Sequence, residues 1–351
     1  MQRREFFITS GLATLAGSLD IARIMAETPE YATSSDHKLI KPNRLRAGAM
    51  IGLIAPSSPP AIEKFDKAFA NLVSLGFRVK PGESLRARNG HLAGTDAQRL
   101  ADLHQAFDDP EVDAVWCIRG GYGCSRLLPH IDYDLIRRHP KPLIGYSDIT
   151  ALHLAIHERT GLVTFHGPVA AGDFPDDTLQ YFRAALTDPV SRYDIVAPAE
   201  TEIFTGEEYR PFVITPGHAA GRLMGGNLSL LSALAGTPFL PSFQKKLVFI
   251  EEVGELPYRI DRMLTQLLQA SDLAKAAGIV LGVFNGCAPK VDAPSMTLPD
   301  TLRDLLGGLG MPVLYGLPFG HVAHQATFPC GILAEMNTDT RTLTLLEAGV
   351  A

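Results

Sequence analysis

Pro142-Leu143-Ile144-Gly145-Tyr146-Ser147-Asp148-Ile149-Thr150 is the stretch that decides the fold. A short apolar run ends at a glycine, one serine follows, and a helical pattern (Ile149, Leu152, Leu154, Ile156) begins at once. The order predicts a buried strand feeding an amphipathic helix, with Ser147 at the strand's C-terminal end, where α/β folds expose reactive groups. A helix N-terminus there offers unpaired N–H groups and a positive dipole end, which suit a developing oxyanion. Taken alone, the segment has a plainer reading in which Ser147 or Asp148 is an N-cap, since strand–Ser–helix junctions are common and the G-x-S-x-G elbow is absent.

Outward from this stretch, strand and helix alternate. Residues 50–55 are apolar and run into Pro56-Ser57-Ser58-Pro59-Pro60; 61–75 has helical periodicity; 77–80 is a short strand and 96–107 a helix. Residues 112–118 form a buried strand that enters Arg119-Gly120-Gly121-Tyr122-Gly123, and 162–165 leads into His166-Gly167-Pro168. Strands separated by helices imply a parallel sheet with helices on both faces. From about 189 to 220 prolines and a polar run break the rhythm and predict an inter-domain crossing. A second unit follows, with a glycine-rich turn at Gly225-Gly226-Asn227, strands at 247–250, 279–284 and 313–317, helices at 258–270 and 298–306, and a closing hairpin at 332–346. The expected layout is a leader at 1–35, an N-terminal domain at 46–190, a crossing at 191–220 and a C-terminal domain at 221–351.

Composition narrows the function classes. The 351 residues are 46% hydrophobic and 20% charged with a formal net charge of -6, an ordinary globular balance that argues against nucleic acid or an anionic membrane surface as partner. Past the N-terminus no segment approaches a membrane span. The four cysteines (Cys117, Cys124, Cys287, Cys330) are too few for a disulfide scaffold and lack zinc-like pairing. Cys117 and Cys124 flank the glycine-rich turn, so a bridge between them stays open. Arg3-Arg4-Glu5-Phe6-Phe7 before a mildly apolar run at 9–19 reads as a twin-arginine export signal, which would place the protein in the periplasm; a cytoplasmic location is the alternative.

Two further strand ends hold groups that a serine nucleophile would need. Leu247-Val248-Phe249-Ile250-Glu251-Glu252 ends in paired carboxylates, and Gly316-Leu317-Pro318-Phe319-Gly320-His321 places a histidine just past an apolar strand. Each has an ordinary structural explanation by itself: a cap, a solvated rim or a buried histidine. Together they are harder to dismiss, because serine needs a base and histidine needs an acid to hold its tautomer.

These segments resemble the LD-carboxypeptidase family of serine peptidases, which also holds the microcin-immunity peptidases. The resemblance runs from about 46 to 348 and rests on Arg119-Gly120-Gly121-Tyr122-Gly123, Gly145-Tyr146-Ser147-Asp148, Phe165-His166-Gly167-Pro168, Gly225-Gly226-Asn227-Leu228, Ile250-Glu251-Glu252-Val253 with Tyr258-Arg259-Ile260-Asp261-Arg262, and Pro318-Phe319-Gly320-His321. It implies a Rossmann-like N-terminal domain with a parallel sheet, a smaller β/α C-terminal domain, catalysis between them, and a homodimer. It makes Ser147 the nucleophile, His321 the general base and Glu251 the residue that orients it. The family usually has Glu-Asp where this chain has Glu251-Glu252. The N–H of Asp148 and one from Gly120 or Gly121 would hold the oxyanion. No metal or cofactor is expected.

The implied reaction is removal of the terminal D-Ala from a murein-derived tetrapeptide by cleavage of an L,D bond. A carboxypeptidase needs a cation for the free carboxylate. Arg119 is the candidate, with an ion pair that shapes the turn as its ordinary reading. His166, Asn227 and His324 are further candidates for substrate contact. The alternatives are a microcin-type amidase acting on peptidyl-nucleotides and an exported solute-binding protein without chemistry.

Overall fold

Five short strands from the first half of the chain, β1 (Met50–Ile54), β2 (Arg78–Pro81), β3 (Ala114–Cys117), β4 (Leu143–Gly145) and β5 (Thr164–His166), align parallel in the order β2-β1-β3-β4-β5. The structure is a computed structural model that describes residues 38–198, 206–290 and 294–351. The 1–35 leader with its paired arginines lies outside the described residues. β3 and β4 are buried along their whole length, as the apolar runs require of strands covered on both faces. The flanking helices follow the periodicity: Ile62–Ser74 turns Phe65, Ala68 and Leu72 inward, and Asp96–Asp108 opens with a Thr95/Gln98 capping box.

The second half supplies β6 (Tyr193–Val196), β7 (Phe212–Thr215), β8 (His218–Asn227), β9 (Leu247–Val253), β10 (Gly278–Asn285), β11 (Val313–Gly320), β12 (Phe328–Cys330), β13 (Leu333–Asn337) and β14 (Thr342–Leu345). All but β12 form an eight-stranded sheet, β6-β14-β13-β8-β9-β10-β11-β7, in which β8 to β11 are parallel and the outer pairings antiparallel. β12 crosses back to pair antiparallel with β5, Phe328 opposite His166. The expected α/β class with parallel sheets is what the chain adopts. The stretch read as a crossing carries β6, β7 and the start of β8, all of them members of the eight-stranded sheet.

Two local expectations are corrected. Gly225-Gly226-Asn227 is the end of β8, paired with β9, and is no turn. A Cβ on Gly225 would lie 1.8 Å from the Phe249 carbonyl oxygen, and one on Gly226 would lie 2.3 Å from Thr150 Cγ2. The glycines are there for close approach, of strand to strand and of strand to the helix Thr150–Thr160. That helix is not amphipathic: residues 150–156 are all buried, because it packs against β5 from the first sheet and against β8 and the helix Leu228–Leu234 from the second half. Over 150–156 the polar positions of the pattern are filled by Thr150 and His153, and the charged Glu158 and Arg159 come only in the last turn, where the helix is partly exposed. All four cysteines are free and buried, so Cys117 and Cys124 do not pair.

Candidate active site

Ser147 stands at the end of β4 with φ of 65°, left-handed backbone that side chains other than glycine rarely adopt and that costs on the order of 1–3 kcal/mol. A single 3₁₀ turn, Ser147–Ile149, links it to the helix Thr150–Thr160. The tight strand–turn–helix corner therefore forms without the usual G-x-S-x-G pattern. Gly145 makes room for it, since a Cβ there would meet the Ile149 side chain at 3.0 Å. Neither Ser147 nor Asp148 caps the helix. The Asp148 carboxylate instead accepts from Ser57 Oγ and from the Cys124 N–H at 2.9 Å, tying the loops after β1, β3 and β4 together.

The three strand ends meet. His321 Nε2 lies 3.0 Å from Ser147 Oγ, and His321 Nδ1 lies 2.8 Å from Glu251 Oε2. Glu251 is fully buried at the end of β9, and Oε2 is the only one of its oxygens with a partner among the described residues. A carboxylate on one ring nitrogen and a hydroxyl on the other is the geometry for withdrawing the hydroxyl proton. Burial by itself would lower the pKa of His321; the Glu251 hydrogen bond and the charges of Glu251 and Glu252 outweigh it, and the ring titrates above its ordinary value. The Tyr146 ring packs edge-on against His321 at 4.9 Å, closing the imidazole off on one side. Burial pushes the Tyr146 phenol up to about 12, so it stays neutral.

Glu252 points away from this chain. It accepts from Asn227 Nδ2 at 3.1 Å, from Ser229 N at 2.8 Å and from Ser229 Oγ at 2.6 Å, and burial raises its pKa. Of the two adjacent acids, Glu251 is the one that faces the histidine.

Ser147 and His321 open onto a cavity of about 690 Å³, whose walls include Arg119, Gly120, Gly121 and Lys64. Gly120 packs against Ser147, and Gly121, at φ of 127°, packs against Ser58. No protein acceptor takes the N–H of Gly120, Gly121 or Asp148 among the described residues. Arg119 makes no ion pair there; its Nε donates to the Gly120 carbonyl at 2.9 Å and its Nη1 to the Pro59 carbonyl at 3.3 Å, which leaves guanidinium N–H groups over.

Three expected substrate contacts are corrected. His166 is fully buried among Tyr146, Phe249, Phe319 and Phe328, stacked on Phe328 at 5.2 Å, and burial holds its pKa well below the ordinary value. Asn227 is buried too, spent on Glu252 and on capping the helix Leu228–Leu234. His324 bonds Asp177 at 2.8 Å and is not on the cavity wall, although its neighbours Ala323 and Gln325 are. Motif membership had pointed to His166 and Asn227, and there the motif serves packing and internal hydrogen bonding. Lys64, conversely, reaches the cavity from the first turn of a helix whose sequence carries no motif. Among the described residues no group of three or more metal-ligating side chains occurs, and no helix is long and apolar enough to cross a membrane.

Residues 51–167 match the LD-carboxypeptidase N-terminal domain, and 220–336 match the LD-carboxypeptidase C-terminal domain. The chain belongs to the LD-carboxypeptidase family. Among similar proteins, the probable murein peptide carboxypeptidase of Bacillus subtilis (strain 168) is 45% identical over 312 residues, covering 89% of this chain and 95% of that one. The murein tetrapeptide carboxypeptidase of Pseudomonas aeruginosa is 38% identical over 290 residues, 80% of this chain and 91% of the relative. Of solved structures, an MccF-like protein from Bacillus anthracis superposes with a TM-score of 0.76 at 31% identity, covering 88% of this chain and 99% of that one. Family membership makes this LD-carboxypeptidase relative an enzyme, a serine-type carboxypeptidase, which removes the solute-binding alternative.

Proposed function

We propose that the enzyme hydrolyses the L,D peptide bond before the terminal D-Ala of murein tetrapeptides, with Ser147, His321 and Glu251 as its catalytic triad. The observation that carries this reading is the unbroken hydrogen-bonded chain from Glu251 through His321 to Ser147, opening onto a cavity that also holds Arg119. Similarity to relatives named for murein peptides supports the substrate class.

Ser147 Oγ–H donates to His321 Nε2, and His321 Nδ1–H donates to Glu251. As Oγ attacks the scissile carbonyl, the proton passes to Nε2, and the buried Glu251 carboxylate stabilises the imidazolium. The carbonyl oxygen becomes an oxyanion held by the N–H of Asp148 and one from Gly120 or Gly121; each such donor is worth roughly 3 kcal/mol of barrier. His321 returns its proton to the leaving amine of D-Ala, and a water deprotonated by the same ring hydrolyses the acyl-enzyme. Arg119 binds the free C-terminal carboxylate.

Ser147→Ala and His321→Ala should each lose at least about a thousandfold in kcat, because the three groups act as a unit. Mass spectrometry of muropeptides incubated with the purified enzyme tests the substrate: tetrapeptide should become tripeptide plus D-Ala. A wild type that leaves tetrapeptide intact and cleaves a peptidyl-nucleotide would select the microcin-type amidase, a reading that similarity to the MccF-like structure keeps open.

Export by the twin-arginine route to the periplasm, and a homodimer, belong to the same proposal. Replacing Arg3 and Arg4 by lysine should retain the protein in the cytoplasm with unchanged kinetics, and fractionation reads the outcome.

A further inference from the structure

A second cavity, of about 660 Å³, lies at the opposite edge of the parallel sheet from Ser147 and is nearly as large as the catalytic one. Its lining residues Leu45 and Arg46 lead into β1 and Phe77 leads into β2, so it sits at the strands' N-terminal ends, whereas Ser147 follows the C-terminal end of β4. Nothing in the proposed reaction uses it.

Its chemistry is one-sided. Arg44, Arg46 and Arg183 line it against a single acid, Asp188. Among the described residues no carboxylate forms an ion pair with any of the three; Arg44 Nη1 donates only to the Thr187 carbonyl, at 3.3 Å. In a chain of net charge -6, the run Lys38-Leu39-Ile40-Lys41-Pro42-Asn43-Arg44-Leu45-Arg46 carries four cations, of which Lys41 is paired with Glu347, and no acid. A neighbouring hollow of about 370 Å³ shares Arg44 and Arg46 but is lined also by Asp113 and the C-terminal Ala351, so the uncompensated cations belong to the larger cavity. Three guanidinium groups that line one cavity without a carboxylate partner favour an anion there, which would accept bidentate hydrogen bonds.

Part of the lining is apolar and fixed. Phe77, Phe174 and Phe182 line the cavity, and Phe182 is held by stacking on the buried Trp116 at 5.1 Å and by edge contact with Phe77 at 6.3 Å. A cavity lined by both cations and aromatic rings suits a ligand with both characters.

We propose that this cavity is a binding site for a small organic dianion, a phosphate or dicarboxylate carried on a planar apolar group. The inference is independent of the murein reading. Calorimetric titration of the full chain with phenyl phosphate, isophthalate and inorganic phosphate tests it. One of the two ring-bearing dianions should saturate a single site about tenfold more tightly than inorganic phosphate, and which of them does so tells phosphate from carboxylate. The triple variant Arg44→Gln/Arg46→Gln/Arg183→Gln should weaken that binding about tenfold or more while retaining the wild-type melting temperature and peptide turnover. Arg119→Gln should leave the binding unchanged. No saturable binding, binding that does not depend on the ring, or binding that survives the triple variant would overturn the proposal. A loss in Arg119→Gln would do so as well, by placing the ligand in the catalytic cavity.

Discussion

A Cβ on Gly120 would lie 2.8 Å from Ser147 Cβ and 3.1 Å from its Oγ. The glycine loop after β3 is thus in direct contact with Ser147, and there is no space for a side chain between the loop and the hydroxyl. Ser147 is itself held at φ of 65° in that corner.

Gly120→Ala should therefore act on the reaction more than on the fold. The added methyl pushes Ser147 off His321 Nε2 and shifts the N–H groups proposed for the oxyanion, which together should cost about a hundredfold in kcat. KM and the melting temperature should move little, since the clash can be relieved at a cavity wall. A variant with wild-type kcat would show that the loop yields freely and has no part in positioning the serine.

The paired acids at the end of β9 separate by environment. Glu251→Gln keeps the shape but offers no charge for the imidazolium and can present its amide N–H to Nδ1, which forces the wrong tautomer; kcat should fall by about a thousandfold or more. Glu252→Gln removes a buried acceptor of the Ser229 N–H and hydroxyl and should cost about 1–3 kcal/mol of stability with most of kcat retained. Chemical denaturation and steady-state kinetics on both variants check the pattern, and the reverse ranking would move the orienting role to Glu252.

Much of this was legible in the sequence, for identifiable reasons. Ser147, Glu251 and His321 each end an apolar run, and a parallel sheet gathers the C-terminal ends of its strands on one edge, so the ends of the apolar runs brought these three forward as candidates and the family resemblance gave them roles. Periodicity could not separate adjacent positions: Glu251 and Glu252 differ only in which face of β9 each side chain takes. It also misread Gly225-Gly226, because glycine serves a turn and a close approach equally well in a string of letters. His166 and Asn227 were named through motifs whose residues turn out to be buried partners of aromatic rings and of Glu252. Lys64 went unnoticed because an exposed lysine on an amphipathic helix carries no signal until the opposite wall of the cavity is known.

The raised pKa of His321 sets the acid limb of the pH profile. The ring acts as a base only when neutral, so kcat/KM should rise with pH through a midpoint above about 6.5 and fall away below it. Without the Glu251 carboxylate, burial is the larger remaining influence, and the residual activity of Glu251→Gln should titrate at a lower pH than the wild type. A pH–rate profile of the variant whose midpoint stays put or moves up would mean that another group controls the limb.

Arg119 offers the sharpest test of the exopeptidase reading, because its guanidinium is spent on two backbone carbonyls and on no acid. If the remaining N–H groups bind the terminal carboxylate, Arg119→Ala should lower kcat/KM for the free-acid tetrapeptide about a hundredfold, the loss expected when a charge-assisted pair in a partly dry site is broken. The C-terminally amidated peptide should be a poor substrate for the wild type and should suffer little further from the substitution. The L,L isomer should also fail, since inversion at the terminal residue exchanges the places of its methyl group and carboxylate. Equal cleavage of acid and amide by the wild type would reject a carboxylate-dependent enzyme and favour the amidase. Equal losses on both peptides in Arg119→Ala would leave the carboxypeptidase standing and assign Arg119 to the glycine loop alone, where its bonds to Pro59 and Gly120 hold the wall that faces Ser147.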